Sequence, residues 1–146
     1  MHPRKQGDVG EASAIVWLAQ KGALIFTPLF RSPDYDLIAE IAGRVVRIEV
    51  KTSNSRTRTG NWSVPVCTRG GNQSWNKITK RFEPDRCDFL FANVGDGRRW
   101  FIPAHRIEGA TSIVLGGRKY AEFEVEAGPR LPSQTDWETA STIASP

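Results

Sequence analysis

The sequence predicts a single α/β domain in which one helix comes first and a mixed β-sheet follows. Three observations support this fold class: a helical apolar period near the N-terminus, several short runs of alternating side chains, and turn residues between those runs. The length of 146 residues fits one domain, and 39% hydrophobic with 25% charged residues is an ordinary globular balance. We expect a packed domain over residues 1–127 and a frayed Pro-, Ser- and Thr-rich tail over residues 128–146.

The first element is predicted as a helix from about Asp8 to Lys21. Apolar residues recur there with a helical period, and Gly22 stands where a helix commonly ends with a left-handed glycine. Asp8 is expected to cap the helix, and Glu11, three residues later, stands at the capping-box position.

Short strands follow, joined in pairs by tight turns. Turn residues at 42–43, 95–97 and 116–117 predict three hairpins, and Pro65 predicts an edge or a bulge in its strand. The segment 74–82 suits a short helix. The strands are predicted at residues 23–27, 36–41, 45–51, 61–67, 88–94, 99–103, 111–115 and 120–126.

Composition excludes several classes of protein. The longest uninterrupted apolar run, Ala14 to Ala19, is far shorter than the ~20 residues of a membrane-spanning helix. No apolar segment follows the N-terminal residues, so a secretory signal is not expected. Two cysteines, Cys67 and Cys87, are too few for a disulfide scaffold and are expected to be buried. The expectation is a soluble cytoplasmic protein with no membrane partner.

The net charge of +4 is unevenly distributed. Residues 51–86 hold 8 basic and 2 acidic side chains, a net of +6, whereas residues 121–146 hold 1 basic and 5 acidic ones, a net of −4. Basic residues mixed with Trp62, Trp75 and Phe82 suit a surface that binds a phosphate backbone. A solvated loop face is the other interpretation of this stretch.

One strand combines an apolar face with a charged face. Because alternate side chains of a strand share a face, residues 46, 48 and 50 can pack on the first helix while Arg47, Glu49 and Lys51 lie opposite. Asp36 begins the strand that a hairpin joins to this one, so Asp36 and Glu49 can converge. Two carboxylates with waters and a substrate phosphate suit Mg²⁺, and Lys51 could orient the attacking water or offset phosphate charge.

These residues resemble a known nuclease signature. Pro33-Asp34-Tyr35-Asp36 followed by Glu49-Val50-Lys51 is similar to the PD-(D/E)xK motif. The runs 7–11, 35–38, 47–52, 87–92 and 100–103 resemble, more closely, the PD-(D/E)xK homing endonucleases of bacterial group I introns. The resemblance covers about residues 7–126. The triad also resembles archaeal Holliday junction resolvases, which share the glutamate on the helix.

The resemblance implies a restriction-endonuclease-like core with flanking helices and a role for each matching residue. Asp36 and Glu49 would bind Mg²⁺, with Mn²⁺ as an alternative ion, and the Val50 carbonyl would be a backbone ligand. Lys51 would position or activate the nucleophilic water. Glu11 would reach the site from the helix, through a metal-bound water or a second ion. The reaction would be in-line hydrolysis of a phosphodiester in double-stranded DNA.

The basic stretch supplies candidate DNA contacts and the single site suggests an oligomer. Trp62 and Trp75 could stack or wedge between bases. One small domain has one site, so cutting both strands of a duplex favours a homodimer or homotetramer. The candidate nucleic-acid-binding residues are Arg56, Arg58, Arg69, Lys77, Lys80 and Arg81.

Several alternatives remain open from the sequence. Asp34 competes with Asp36 as the metal ligand, because the literal Pro-Asp pair is Pro33-Asp34; Asp36 is preferred because it opens an apolar strand. Glu49 and Lys51 could form an exposed ion pair with no catalytic role. The chain could also be a structure-selective, resolvase-like nuclease, or a non-catalytic DNA-binding module of the same fold.

Overall fold

Two α-helices and eleven strands form within residues 3–32, 34–69, 79–109 and 111–145, which are the residues that the structure, a computed structural model, describes. The helices are α1 (Pro3–Gln20) and α2 (Gln134–Ala144), and 3-10 turns span Ala104–Arg106 and Ala121–Phe123. The strands are β1 (Leu24–Phe26), β2 (Leu37–Ile41), β3 (Arg44–Ser53), β4 (Ser55–Arg56), β5 (Trp62–Pro65), β6 (Thr68–Arg69), β7 (Thr79–Lys80), β8 (Phe89–Val94), β9 (Arg99–Pro103), β10 (Ser112–Leu115) and β11 (Glu124–Val125).

The main sheet has the strand order β1-β2-β3-β8-β9-β11. Its neighbours are antiparallel except β3 and β8, which run parallel, so the prediction of a helix followed by a mixed sheet is confirmed. A second antiparallel sheet has the order β10-β5-β4, and β6 pairs with β7 in a separate ribbon. No helix in the described part of the chain is long and apolar enough to cross a bilayer.

Two apolar clusters cover opposite faces of the main sheet. On one face, α1 contributes Ala14, Trp17 and Leu18 to a cluster with Ile48 of β3 and Phe91 of β8. On the other face, the second sheet packs on β8 and β9, and the buried side chains there include Trp62, Leu90, Trp100, Ile102 and Leu115. Both clusters follow from strict alternation of side chains along the strands.

The helix α1 ends as predicted but begins earlier. Gly22 has φ +84° and its N–H donates to the Ala19 carbonyl, while the Ala23 N–H donates to the Leu18 carbonyl, which is the Schellman pattern. The start predicted at Asp8 is wrong, because Pro3 is suited to the first turn of a helix and good helix formers follow it. Asp8 and Glu11 therefore lie inside the helix, and the predicted capping box does not form.

The first two predicted hairpins are confirmed. Ala42 and Gly43 both have positive φ, +49° and +78°, as a two-residue turn between antiparallel strands requires, and Ile41 pairs with Arg44 across it. Strands β8 and β9 pair from Phe89 with Pro103 to Asn93 with Arg99 around the 95–97 turn.

The third predicted hairpin is wrong. Strand β10 pairs with β5 in the second sheet, whereas β11 pairs with β9 in the main sheet, so the glycines at 116–117 mark a change of sheet. Pro65 ends β5 opposite Ser112, beyond the part of β5 that pairs with β4. The predicted helix over 74–82 is wrong where it can be checked, since Thr79–Lys80 is a strand; its residues 74–78 lie outside the described residues.

The C-terminal segment is more structured than the predicted frayed tail. Ser133 and Asp136 form a capping box at the start of α2, a signal that the lack of apolar periodicity conceals. Leu131 is buried and its N–H donates to the Gly95 carbonyl, and the Lys5 ammonium lies 3.9 Å from the centre of the Trp137 ring. The boundary between residues 127 and 128 stays a prediction.

Candidate active site

The β2–β3 hairpin brings Asp36 to the middle of β3. Leu37 pairs with Ile48, so Asp36 lies one residue further, beside Glu49. The Asp36 N–H donates to the Ile48 carbonyl at 2.9 Å, and Asp36 Oδ2 accepts the Val50 N–H at 2.8 Å. These two hydrogen bonds fix the carboxylate of Asp36 against the backbone of the strand that carries Glu49 and Lys51.

Glu49 and Lys51 form a largely buried ion pair. Lys51 Nζ lies 3.2 Å from Glu49 Oε1, and only 12% of the Glu49 side chain and 20% of the Lys51 side chain are exposed. Burial raises the pKa of the Glu49 carboxyl; Lys51 opposes that rise, and Asp36 and Asp34 add to it. This burial differs from the alternative interpretation in which Glu49 and Lys51 form an exposed ion pair.

Glu11 approaches the same end of the hairpin from α1. Burial raises the pKa of its carboxyl, and the negative charges of Asp36 and then Asp8 raise it further, so Glu11 lies within the field of Asp36. The preceding residue makes this approach possible, because a Cβ on Gly10 would overlap the Thr52 side chain. The Gly10 carbonyl also accepts a buried hydrogen bond from Asn93 Nδ2 at 3.1 Å.

Asp34 occupies a different position from Asp36. It lines a cleft together with Glu49, and its Oδ1 lies 3.5 Å from the Arg86 guanidinium. Arg86 also pairs with Glu83 at 2.9 Å, and Arg81 lines the same cleft. Arg86 was not among the predicted site residues, since its approach to Asp34 spans 52 positions of the sequence. The sequence signal that could have identified Arg86 is its position directly before Cys87 and Asp88, where a strand was predicted to begin.

The remaining predicted DNA contacts are spread over several elements. Arg56 stacks on Trp62, its guanidinium carbon 3.9 Å from the ring centre, and donates to the Gly60 carbonyl, while Arg58 is exposed in the turn that follows β4. Trp62 is buried, so the prediction that it stacks or wedges between bases is wrong. Arg69 lies on β6 and Lys80 on β7. Lys77 and Trp75 lie outside the described residues.

Two residues near the site, Cys87 and Asp88, were predicted from the sequence to have no catalytic role. Cys87 is buried, as predicted, and burial together with the nearby Glu49 raises the pKa of its thiol to about 12, which keeps it neutral. Cys67 is only partly buried. Asp88 accepts hydrogen bonds from the backbone N–H and the guanidinium of Arg47, so it anchors the entry to β8.

The donor set suits a hard divalent cation. Asp36 directly precedes β2 and Glu49 lies on the adjacent β3, so their carboxylates are neighbours, and Val50 offers a backbone carbonyl between Glu49 and Lys51. Oxygen donors of this kind are those that Mg²⁺ prefers. Burial is the largest cause of the raised pKa of both the Glu49 and the Glu11 carboxyl, and a bound cation would stabilise the charged form of each. No group of three or more His, Cys, Asp or Glu side chains suited to a metal occurs among the residues with described positions.

Comparisons with known proteins identify a family and a related fold. A family model described as PD-(D/E)XK endonuclease matches residues 1–138. The solved structure of a bacterial homing endonuclease, I-Ssp6803I, is similar to this chain with a TM-score of 0.68 and 22% identity, covering 98% of this chain and 93% of the other. At that identity the likeness shows a shared fold. None of the curated proteins compared with the chain matches it significantly.

Proposed function

The chain belongs to the PD-(D/E)XK endonuclease family, and from this premise we propose that it is a Mg²⁺-dependent endonuclease of double-stranded DNA. We infer a homing-endonuclease-like activity carried out by a homodimer or homotetramer. The observation that carries the proposal is the convergence of Asp36, Glu49 and Lys51 at one end of the β2–β3 hairpin, with Glu11 approaching from α1.

The proposed metal ligands are Asp36, Glu49 and the Val50 carbonyl. When bound, Mg²⁺ supplies positive charge that polarises the scissile phosphate and makes water a better nucleophile, and Mn²⁺ is expected to substitute. Because Val50 donates its N–H to Asp36 Oδ2, the other carboxylate oxygen of Asp36 remains for the ion. The Asp34 carboxylate is already paired with Arg86, which favours Asp36 as the ligand.

Lys51 is the proposed positioning group for the attacking water. Its ammonium is held 3.2 Å from Glu49 in a largely buried pair, so it has few other positions to adopt. A fixed ammonium beside the ligands can donate a hydrogen bond to water and offset the charge that develops on the phosphate. Glu11 can accept a proton or a hydrogen bond at the same end of the hairpin.

The proposed DNA path leads from this site across the basic stretch. Arg81 and Arg86 line the cleft beside Glu49, and Arg58 is exposed after β4. The ribbon β6–β7 adds Arg69 and Lys80. Arginine and lysine at these positions would bind phosphates and so supply affinity that is largely independent of sequence.

Cleavage of a plasmid pool with random inserts tests the proposal, because the pool represents an unknown target sequence. Wild-type protein should convert supercoiled plasmid to nicked and linear forms with Mg²⁺, and EDTA should stop it. Glu49→Gln and Asp36→Asn should each slow cleavage by about 100-fold or more, since each removes a metal ligand.

Asp34→Asn is the matched control in that assay, because it removes a neighbouring carboxylate from the same cleft. It should slow cleavage by less than about 10-fold; the reverse order of effects would assign the ion to Asp34. Undiminished cleavage by Glu49→Gln would refute the site. A four-way junction cut in preference to any linear sequence would indicate resolvase-like activity instead.

A further inference from the structure

The cleft beside the candidate active site has an arginine in its wall. Glu49 of β3, Asp34 and Arg86 line this cleft. Two apolar side chains complete the wall: Val66 is buried in the cluster between the two sheets, and Phe82 packs against that cluster. The cleft therefore lies between the charged face of β3 and the apolar cluster on the same side of the main sheet.

One edge of the Arg86 guanidinium is fixed by Glu83. Arg86 Nε–H donates to Glu83 Oε2 at 2.9 Å, and the Arg86 backbone N–H donates to the Glu83 carbonyl at 3.1 Å. A tight turn and a charge-assisted hydrogen bond thus join the two residues within one short segment. This contact sets where the guanidinium lies in the cleft.

The contact of Arg86 with Asp34 is much longer. Arg86 Nη1 lies 3.5 Å from Asp34 Oδ1, whereas hydrogen bonds between charged groups are usually about 2.7–2.9 Å long. A guanidinium has five N–H donors, and within the described part of the chain these two carboxylates take one each. Because 30% of the Arg86 side chain is exposed, an incoming anion can reach the other donors.

We propose that this cleft binds one phosphate of the DNA backbone, and that the phosphate takes the place of Asp34 on the Arg86 guanidinium. The inference rests on the proposed function, because a strand cut beside Glu49 brings a neighbouring phosphate to the cleft. A phosphate can accept two parallel hydrogen bonds from one guanidinium, which the long Asp34 contact does not provide. The short Glu83 contact is kept, and Asp36, held by the Val50 N–H, keeps its proposed role as metal ligand.

The exchange makes Asp34 a residue that limits DNA affinity. Three carboxylates and two guanidinium groups line the cleft: Asp34, Glu49, Glu83, Arg81 and Arg86. The Asp34 carboxylate repels an incoming phosphate and competes with it for Arg86. Loss of this carboxylate should therefore strengthen DNA binding, which is the opposite of what loss of a structural contact would do.

Fluorescence anisotropy of a labelled random-sequence duplex in EDTA tests the site without cleavage and without a metal. Asp34→Asn in the full chain should bind about 2- to 5-fold more tightly than wild type. Arg86→Gln should bind at least about 5-fold more weakly. The slope of its log affinity against log salt concentration should fall by about one, since one phosphate contact is lost.

The double variant Asp34→Asn/Arg86→Gln tests whether Asp34 acts through Arg86. It should bind within about 2-fold of Arg86→Gln alone, because the group for which Asp34 and the phosphate compete is gone. An equal gain from Asp34→Asn in both backgrounds would overturn the exchange and leave simple charge repulsion. No gain from Asp34→Asn in the wild-type background, or no binding of duplex by the wild type, would overturn the site.

The matched controls are Glu122→Gln and Arg106→Gln. These residues form an exposed ion pair of 2.8 Å outside the cleft, so the two variants change the net charge by the same amounts as the test variants. Each should bind DNA within about 2-fold of wild type, and circular dichroism checks that all variants fold. Changes as large as those of the test variants would show an effect of net charge and overturn the site.

The two proposals fail separately in these experiments. If the duplex is bound with the expected order of affinities but plasmid is not cut in Mg²⁺, the nuclease proposal fails and the phosphate site stands. If plasmid is cut while Asp34→Asn binds no more tightly than wild type, the phosphate site fails and the nuclease proposal stands.

Discussion

Asp88 connects β3 to its parallel neighbour β8 through several hydrogen bonds. Its Oδ2 accepts the Arg47 N–H at 2.7 Å and the Arg47 Nε–H at 3.2 Å, and its own N–H donates to the Arg47 carbonyl at 2.8 Å. The Arg47 hydrogen bond holds the pKa of the Asp88 carboxyl below its usual value of 3.8. The β3–β8 pairing thus begins at a charged clamp, two residues from Glu49.

The clamp predicts a stability that depends on pH. Folding lowers the pKa of Asp88, so its contribution to the free energy of unfolding is fully present above the unfolded pKa of 3.8. That contribution is lost as the pH falls through the folded pKa. Asp88→Asn should lower the free energy of unfolding by about 1 kcal/mol at neutral pH, since both side chains are partly exposed and the pair is screened.

Urea unfolding from neutral pH to below 3.8 measures this difference. The difference in the free energy of unfolding between wild type and Asp88→Asn should shrink toward zero in acid. Glu138→Gln, on exposed α2, is the control and should differ little from wild type at any pH. A gap that is constant with pH would show that the charge of Asp88 is not what stabilises the strand pair.

At the scale of single residues, the sequence predicts contacts between residues that lie close together along the chain. Asp36, Glu49 and Lys51 could be placed together because one hairpin joins their strands. The positions of Arg86 and Cys87 could not be predicted in this way, because these residues reach Asp34 and Glu49 only through the pairing of β3 with β8. Trp62 was misjudged because an aromatic residue in a basic stretch has the same local pattern whether it is buried or exposed.

Among the elements, α1 depends on one glycine for its distance from the sheet. A Cβ on Gly10 would lie 3.0 Å from Thr52 Cβ and 3.2 Å from Asn93 Nδ2, besides overlapping Thr52 Oγ1. The helix therefore approaches β3 and β8 more closely than an alanine would allow. Glu11, the next residue, owes its position near Asp36 to this contact.

Gly10→Ala should lower the free energy of unfolding by about 2 kcal/mol, because the helix must move away from the sheet or Thr52 must shift. It should also slow DNA cleavage, since Glu11 moves with the helix. Gly7→Ala is the matched control: a Cβ there meets nothing within 4 Å, and the change should stabilise α1 by up to about 1 kcal/mol. Equal thermal midpoints for the two variants would contradict this account of the contact.

The elements that the sequence predicts best are those with local partners. Helix α1, β1 and the first two hairpins depend on apolar periodicity and on turn residues that lie within the same segment. Strands β10 and β11 were assigned to one hairpin because local signals do not show that each pairs with a distant strand. Helix α2 was missed because a capping box, rather than an apolar face, marks its start.

For the whole molecule, the proposed function as a homodimer or homotetramer predicts that each copy cuts one strand of a duplex. Mixed oligomers of wild-type and Lys51→Ala chains, co-expressed with different tags and purified through both, have one competent site in each pair. They should nick supercoiled plasmid and form linear product at least about 10-fold more slowly than wild type. Linear product formed at the wild-type rate would show that one site cuts both strands.

The parallel pairing of β3 with β8 has a consequence for how the proposed DNA affinity could change without a change in the candidate active site. Parallel neighbours need a long connection, and here residues 54–88 supply it. Within the part of the chain that the structure describes, the β6–β7 ribbon of this connection has no strand partner outside itself. Exchanging the ribbon alone would break none of the strand pairings of the main sheet. Because Arg69 and Lys80 are proposed to bind phosphates, grafting a relative's ribbon should change DNA affinity while the hairpin that carries the proposed ligands Asp36 and Glu49 is kept.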